Sequence, residues 1–160
     1  MKKYFLLLVS VMMISACSST SQVGAAENEV GRVQSMYESL PERYKVPGLE
    51  PLDRVNAMNI SGWAAIDRRS FILTMGPSTR YLVVLQRQSS ELRFAQAITI
   101  DNTGSIIRPG FDRVNVVGDT LAAPYQIQAM FELEDREAAN TARDYIRDWQ
   151  EPEVVEEDQE

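Results

Sequence analysis

Apolar positions recur at three- and four-residue spacing near both ends of the chain and at closer, strand-like spacing between them. Val30, Val33, Tyr37 and Leu40 form one stripe, which predicts a helix over about 29–40 with Asn28 as its N-cap. Pro41, Pro47 and Pro51 then predict an irregular connection. From residue 52 the period is that of strands. "RVNAMNI" (54–60), "GWAAID" (62–67), "SFILTM" (70–75) and "RYLVVLQR" (80–87) follow one another, with "GPST" (76–79) as a turn. "SSEL" (89–92) predicts a brief helical turn. "FAQAITI" (94–100) is expected to pass through the turn "DNTG" (101–104) into "SIIR" as a hairpin. "DRVNVVG" (112–118) alternates Val114 and Val116 with polar neighbours, and "YQIQAMFEL" (125–133) alternates Tyr125, Ile127, Ala129 and Phe131. "DREAANTARDYIRDWQ" (135–150) closes the pattern as an amphipathic helix. Ala138, Ala142, Tyr145 and Trp149 lie on one side and Arg136, Arg143 and Arg147 on another. The pattern predicts a single α+β domain over 30–149, a curved antiparallel sheet of about six strands flanked by N- and C-terminal helices.

The first twenty residues have a different character. Lys2 and Lys3 precede the apolar run "YFLLLVSVMM" and then "ISAC". About thirteen apolar residues make roughly 20 Å of helix, short of the ~30 Å a bilayer core requires. The run therefore fits a signal peptide over 1–16 better than a membrane span. Ile14-Ser15-Ala16-Cys17, an aliphatic residue and two small ones before cysteine, resembles the lipobox of bacterial lipoproteins. The resemblance implies cleavage before Cys17, a diacylglyceryl group on its sulfur and an acyl chain, such as palmitate, on its amine. One chain holds weakly at about 0.8 kcal/mol per buried methylene, whereas two or three anchor firmly. Ser18 follows the cysteine. In enteric-type bacteria Asp at that place resembles an inner-membrane retention signal, so Ser18 implies the outer membrane. Residues 17–29 are expected to be a flexible tether, and the acid-rich 150–160 a disordered tail.

Composition narrows the chemistry. Loss of Lys2 and Lys3 from 16 basic residues leaves 14 against 23 acids, a balance that disfavours nucleic acid and anionic lipid surfaces. The chain holds no histidine and one cysteine. With Cys17 acylated, no thiolate or imidazole remains for a metal, a nucleophilic triad or a pH switch. No glycine-rich phosphate loop is present, and no metal or other cofactor is expected.

The order apolar-Asp-Arg recurs at Leu52-Asp53-Arg54, Ile66-Asp67-Arg68 and Phe111-Asp112-Arg113. Neighbouring strand residues point to opposite faces, so these pairs are expected to end strands, with Asp in the turn and Arg in water. Trp63, Asp67, Arg68, Arg80, Tyr81, Asp112 and Arg113 are the candidate binding patch, since arginine forks take carboxylates and phosphates through paired hydrogen bonds. Trp63 and Trp149 are also natural core residues.

"ISGWAAIDRRSFILTMGPSTRYLVVL", "LRFAQAITI" and "GFDRV" together resemble an uncharacterised family of small proteobacterial lipoproteins over about residues 55–131. The resemblance implies an envelope location and no assigned activity. Members of that family carry cysteines after the Tyr-Leu-Val strand and before the last strand, which implies a disulfide. Gln88-Ser89-Ser90 and Tyr125-Gln126 stand there instead. The expected protein is thus a non-catalytic binding or assembly accessory. It is held to the outer membrane by an N-terminal lipid anchor, faces the periplasm, and meets an envelope protein through a sheet edge or the Asp/Arg patch. One alternative is a small hydrolase using Asp67 and Asp112, which requires the two acids within about 5–10 Å. The other is a carrier of an apolar ligand, which requires a pocket of several hundred cubic ångströms.

Overall fold

The computed structural model describes residues 20–119 and 123–150. The expected signal peptide, Cys17, the start of the tether and the tail beyond residue 150 lie outside the described residues. The elements run α1 (Thr20–Glu38), a 3₁₀ turn (Glu42–Tyr44), β1 (Val55–Asn56), β2 (Ile60–Ala65), β3 (Ser70–Met75), β4 (Thr79–Leu85), β5 (Ile98–Asp101), β6 (Ile106–Ile107), β7 (Arg113–Val116), β8 (Tyr125–Leu133) and α2 (Arg136–Asp148). Six strands form one curled antiparallel sheet in the order β2-β3-β4-β8-β7-β5, and β1 pairs with β6 apart from it. This is the α+β domain with terminal helices that the period change predicts.

The sheet is packed on both faces, because β3, β4 and β8 alternate between two sets of apolar side chains. Ile72, Leu82, Val84, Phe131 and Leu133 pack with Leu40, Tyr44, Ala142 and Ile146 on the helical side. Phe71, Leu73, Val83, Leu85 and Met130 fill the concave side, where Val55, Leu92 and Ile107 close over them. Asp135 caps α2, its carboxylate accepting from the Ala138 N–H at 2.8 Å.

Four local expectations are corrected. The helix α1 begins at Thr20, so residues 20–29 of the expected tether are helical and Asn28 lies inside the helix. The segment is small and polar but contains no proline, and Ala25, Ala26 and Glu27 favour helix. The hairpin expected around "DNTG" does not form a ladder. β5 pairs with β7 and β6 with β1, leaving only the isolated bridge Thr103–Ile106. The fully buried Ile107 is recruited to the lid of the concave core instead. In α2 the buried line is Ala139, Ala142 and Ile146, flanked by Ala138 and Tyr145, while Trp149 is the half-buried C-cap.

The fourth correction concerns β8. Tyr125 and Ile127 face the concave core, whereas Ala129, Phe131 and Leu133 face the helices. The register explains it: Val84 sits opposite Ala129 but Leu85 opposite Ile127, so Gln128 is an extra residue in the strand. Such a bulge exchanges the two faces beyond it.

Candidate functional site

Asp67 occupies the turn between β2 and β3. Its Oδ1 accepts from the N–H groups of Arg69 and Ser70 at 2.8 and 2.7 Å and from Ser70 Oγ at 2.8 Å. Its Oδ2 accepts from the Tyr44 hydroxyl at 2.8 Å and pairs with Arg43 Nη2 at 3.1 Å. Burial, and then the bond to Asp67, push the Tyr44 phenol well above its ordinary value. With both oxygens engaged, Asp67 is a latch joining the turn to the 3₁₀ segment. Arg68 beside it is exposed.

Asp112, only 9% exposed, closes another turn by accepting from the Arg108 N–H at 2.6 Å. Arg113 after it is exposed. Trp63 and Tyr81 flank Leu73 in one cross-strand row, and Trp63 meets Phe71 edge-on with centroids 6.2 Å apart. Both line the concave core, and burial raises the Tyr81 phenol. Arg80 donates to the Ser78 carbonyl at 2.8 Å.

The seven residues are therefore not one patch. Trp63 with Tyr81 and Asp112 with Arg113 are brought together, while Asp67 with Arg68 stands apart. The sheet places β4 and β8 between the strands that follow Asp67 and Asp112. Three inter-strand steps make about 14 Å. The two carboxylates share no neighbour among the described hydrogen bonds, and that spacing gives a two-acid hydrolase no support.

Two other features come from residues that the sequence pattern did not single out. The first is the outer edge of β2. "ISGWAA" carries no charge, and its Ile60, Ser61 and Ala64 are exposed. β2 pairs on one side only, with β3, and no hydrogen bond among the described residues engages the other. The opposite edge, β5, is four residues long and ends in Asp101. Edge status is a property of topology, so only the absence of charge in 60–65 was available beforehand.

The second is a cavity of about 180 Å³ between α1 and the end of the sheet. Arg32 and Met36 line it from the helix and Ser39 from just past its end, with Gln126 and Gln128 of β8 and Gln86, just after β4, opposite. The Arg32 guanidinium lies 4.1 Å over the ring of Phe111, which is 58% exposed. The available signal was polar residues at helix positions that would ordinarily be apolar, facing "QIQ" in a strand of apolar residues. An open groove of about 450 Å³ also runs between α1 and residues 49–53, floored by Val33, Tyr37 and Leu52 and rimmed by Glu50 and Asp53. Among the described residues no group of three or more acids or cysteines is placed to hold a metal, and no helix is long and apolar enough to cross a membrane.

Fold and surface together define a small α+β protein: a curled sheet whose β2 edge is uncharged and, among the described residues, unpaired. The chain belongs to the family of unknown function DUF6491, whose model matches residues 1–148 and so reaches well beyond the 55–131 stretch. No curated protein and no solved structure matches it.

Proposed function

We propose that this protein is a lipid-anchored lipoprotein of the outer membrane. It would face the periplasm and act without catalysis, as a binding or assembly accessory for another envelope protein. Ile14-Ser15-Ala16-Cys17 behind a basic, apolar leader supports the anchor at Cys17. The observation that carries the binding role is the open edge of β2. This uncharged strand presents unpaired backbone groups, and of the lysine, proline, cover or bulge that blunt natural edges it has only a bulge, at Ser61. An extended segment of the partner would add as a seventh strand, with its backbone supplying affinity and the exposed Ile60 giving apolar contact.

Tagged wild-type protein and a Ser61→Lys/Ala64→Lys variant, both purified from detergent-solubilised envelopes, test this. Both sites are exposed, so the fold should survive. A stoichiometric partner should co-purify with the wild type and be lost from the variant. A clean wild-type monomer, or a partner retained by the variant, overturns docking at β2. Intact mass should show a mature chain beginning at an acylated Cys17, and an unmodified chain cut elsewhere overturns the anchor.

A further inference from the structure

The stripe Arg32, Met36 and Ser39 faces β8, where a helix packed on a sheet ordinarily presents apolar residues. Opposite it stand three glutamines. Arg32 and Gln126 are half-buried and Gln86 is exposed, so their polar groups line the cavity while it stays open to solvent.

The hydrogen bonds divide these groups in two. Gln128 is fully engaged: its Oε1 accepts from Arg69 Nη2 at 2.6 Å, and its Nε2 donates to Ser39 Oγ at 2.9 Å and to the Met36 carbonyl at 3.3 Å. This fixes the floor. The rest retain capacity. Arg32 donates from Nη1 to the Pro109 carbonyl at 2.6 Å and to Met36 Sδ at 3.7 Å, which leaves most of its five N–H groups without an acceptor among the described residues. No carboxylate lies within ion-pair distance of Arg32 among the described residues, and none lines the cavity. Gln126 donates its Nε2 to the Gly110 carbonyl, leaving Oε1, and Gln86 makes no side-chain bond among the described residues. Gly110 lets the ends of Arg32 and Met36 lie against its backbone. A Cβ there would overlap Arg32 Nη1 and come within 2.7 Å of Met36 Sδ, and its φ of +84° suits glycine.

We propose that this cavity binds a small carboxylic acid bearing an O–H or N–H donor, of the hydroxy-acid or amino-acid class. The Arg32 fork takes the carboxylate, the Gln86 amide donates to it, and Gln126 Oε1 accepts from the ligand's own donor. The volume is that of about six waters, which suits a three- or four-carbon acid and excludes a nucleotide or an acyl chain. The proposal stands apart from docking at β2.

Titration of ¹⁵N-labelled protein, beginning at residue 18 and lacking the acyl chains, with L-lactate, L-serine, acetate and inorganic phosphate tests the site. Lactate or serine should give saturable shifts at the Gly110 N–H and the Gln86 and Gln126 side-chain amides, with Kd on the order of 1 mM or tighter. Acetate, lacking the donor, should bind several-fold more weakly. Arg32→Gln should weaken binding by about tenfold to a hundredfold. Gln86→Ala, at an exposed residue, should weaken it a few-fold with Tm unchanged, separating recognition from stability. Absence of saturable shifts, affinity unaltered in Arg32→Gln and Gln86→Ala, or phosphate binding as well as lactate overturns the proposal.

Discussion

Ile66-Asp67-Arg68 and Phe111-Asp112-Arg113 carry an apolar residue, an acid and an arginine in the same order, and each stands at the head of a strand. In both, the arginine is exposed and the acid bonds the turn's own backbone. The apolar residues part ways: Ile66 is 3% exposed and sits in the helical core, while Phe111 is 58% exposed under Arg32. The carboxylates differ as well, since Asp67 also binds Tyr44 and Arg43 across the chain, and Asp112 reaches back only to Arg108. The same three-residue pattern is thus an internal latch where helices cover the sheet. Beside Arg32 of α1, it is a turn closed on itself whose apolar residue stays exposed. Partners remote in sequence make the difference.

The largest expected effect is at the apolar position. Ile66→Ala should cost about 3 kcal/mol, roughly 10 °C in Tm, whereas Phe111→Ala should cost under about 1 kcal/mol, both read by thermal unfolding. Equal losses would dissolve the contrast. Next come the acids. Asp67→Ala removes the acceptor for three donors of its own turn and for Tyr44, and it leaves Arg43 with only the Ile146 carbonyl, so about 2–3 kcal/mol is expected in urea unfolding. Asp112→Ala orphans one buried-side N–H and should cost about half as much.

A smaller, pH-dependent effect belongs to the latch alone. The folded state holds the Tyr44 phenol above the value near 10 that the unfolded chain shows, first through burial and then through Asp67. The unfolded state therefore releases its proton first, so this stabilisation is complete below about pH 10 and is lost as pH rises beyond it. Urea midpoints should fall on the alkaline side, and Tyr44→Phe should flatten part of that fall. Tyr81 and Tyr125, also raised, account for the remainder, Tyr125 through burial and its 2.5 Å bond to Asp119. The smallest effects should be at Arg68→Ala and Arg113→Ala, within about 0.5 kcal/mol.

Local pattern carried much of the architecture. "SFILTM" is β3 residue for residue, and β7, β8 and the closing helix fall within the segments expected for them, although β8 breaks its alternation at Gln128. Ser89 Oγ accepts from the Glu91 and Leu92 N–H groups, capping the short turn expected at "SSEL". What failed depends on distant partners. Nothing within 101–107 says that Ile107 would leave β5 for Val55, because the reward lies in closing a core built by other strands. The candidate patch is divided for the same reason. Asp67 and Asp112 are alike in sequence, and only the strand order reveals the two strands set between them. Arg32 and the glutamines escaped notice because a polar residue on a helix or strand signals solvent until the opposite wall is known.

The extra residue at Gln128 marks the one place where the last strand can be shortened. Deleting it would join Ile127 directly to Ala129, and plain alternation would keep every apolar side chain on the core it now faces. The loss would fall on the ties that Gln128 makes to Arg69, Ser39 and the Met36 carbonyl. A single-codon deletion at Met130 would instead turn Phe131 and Leu133, or the residues before them, toward the opposite core.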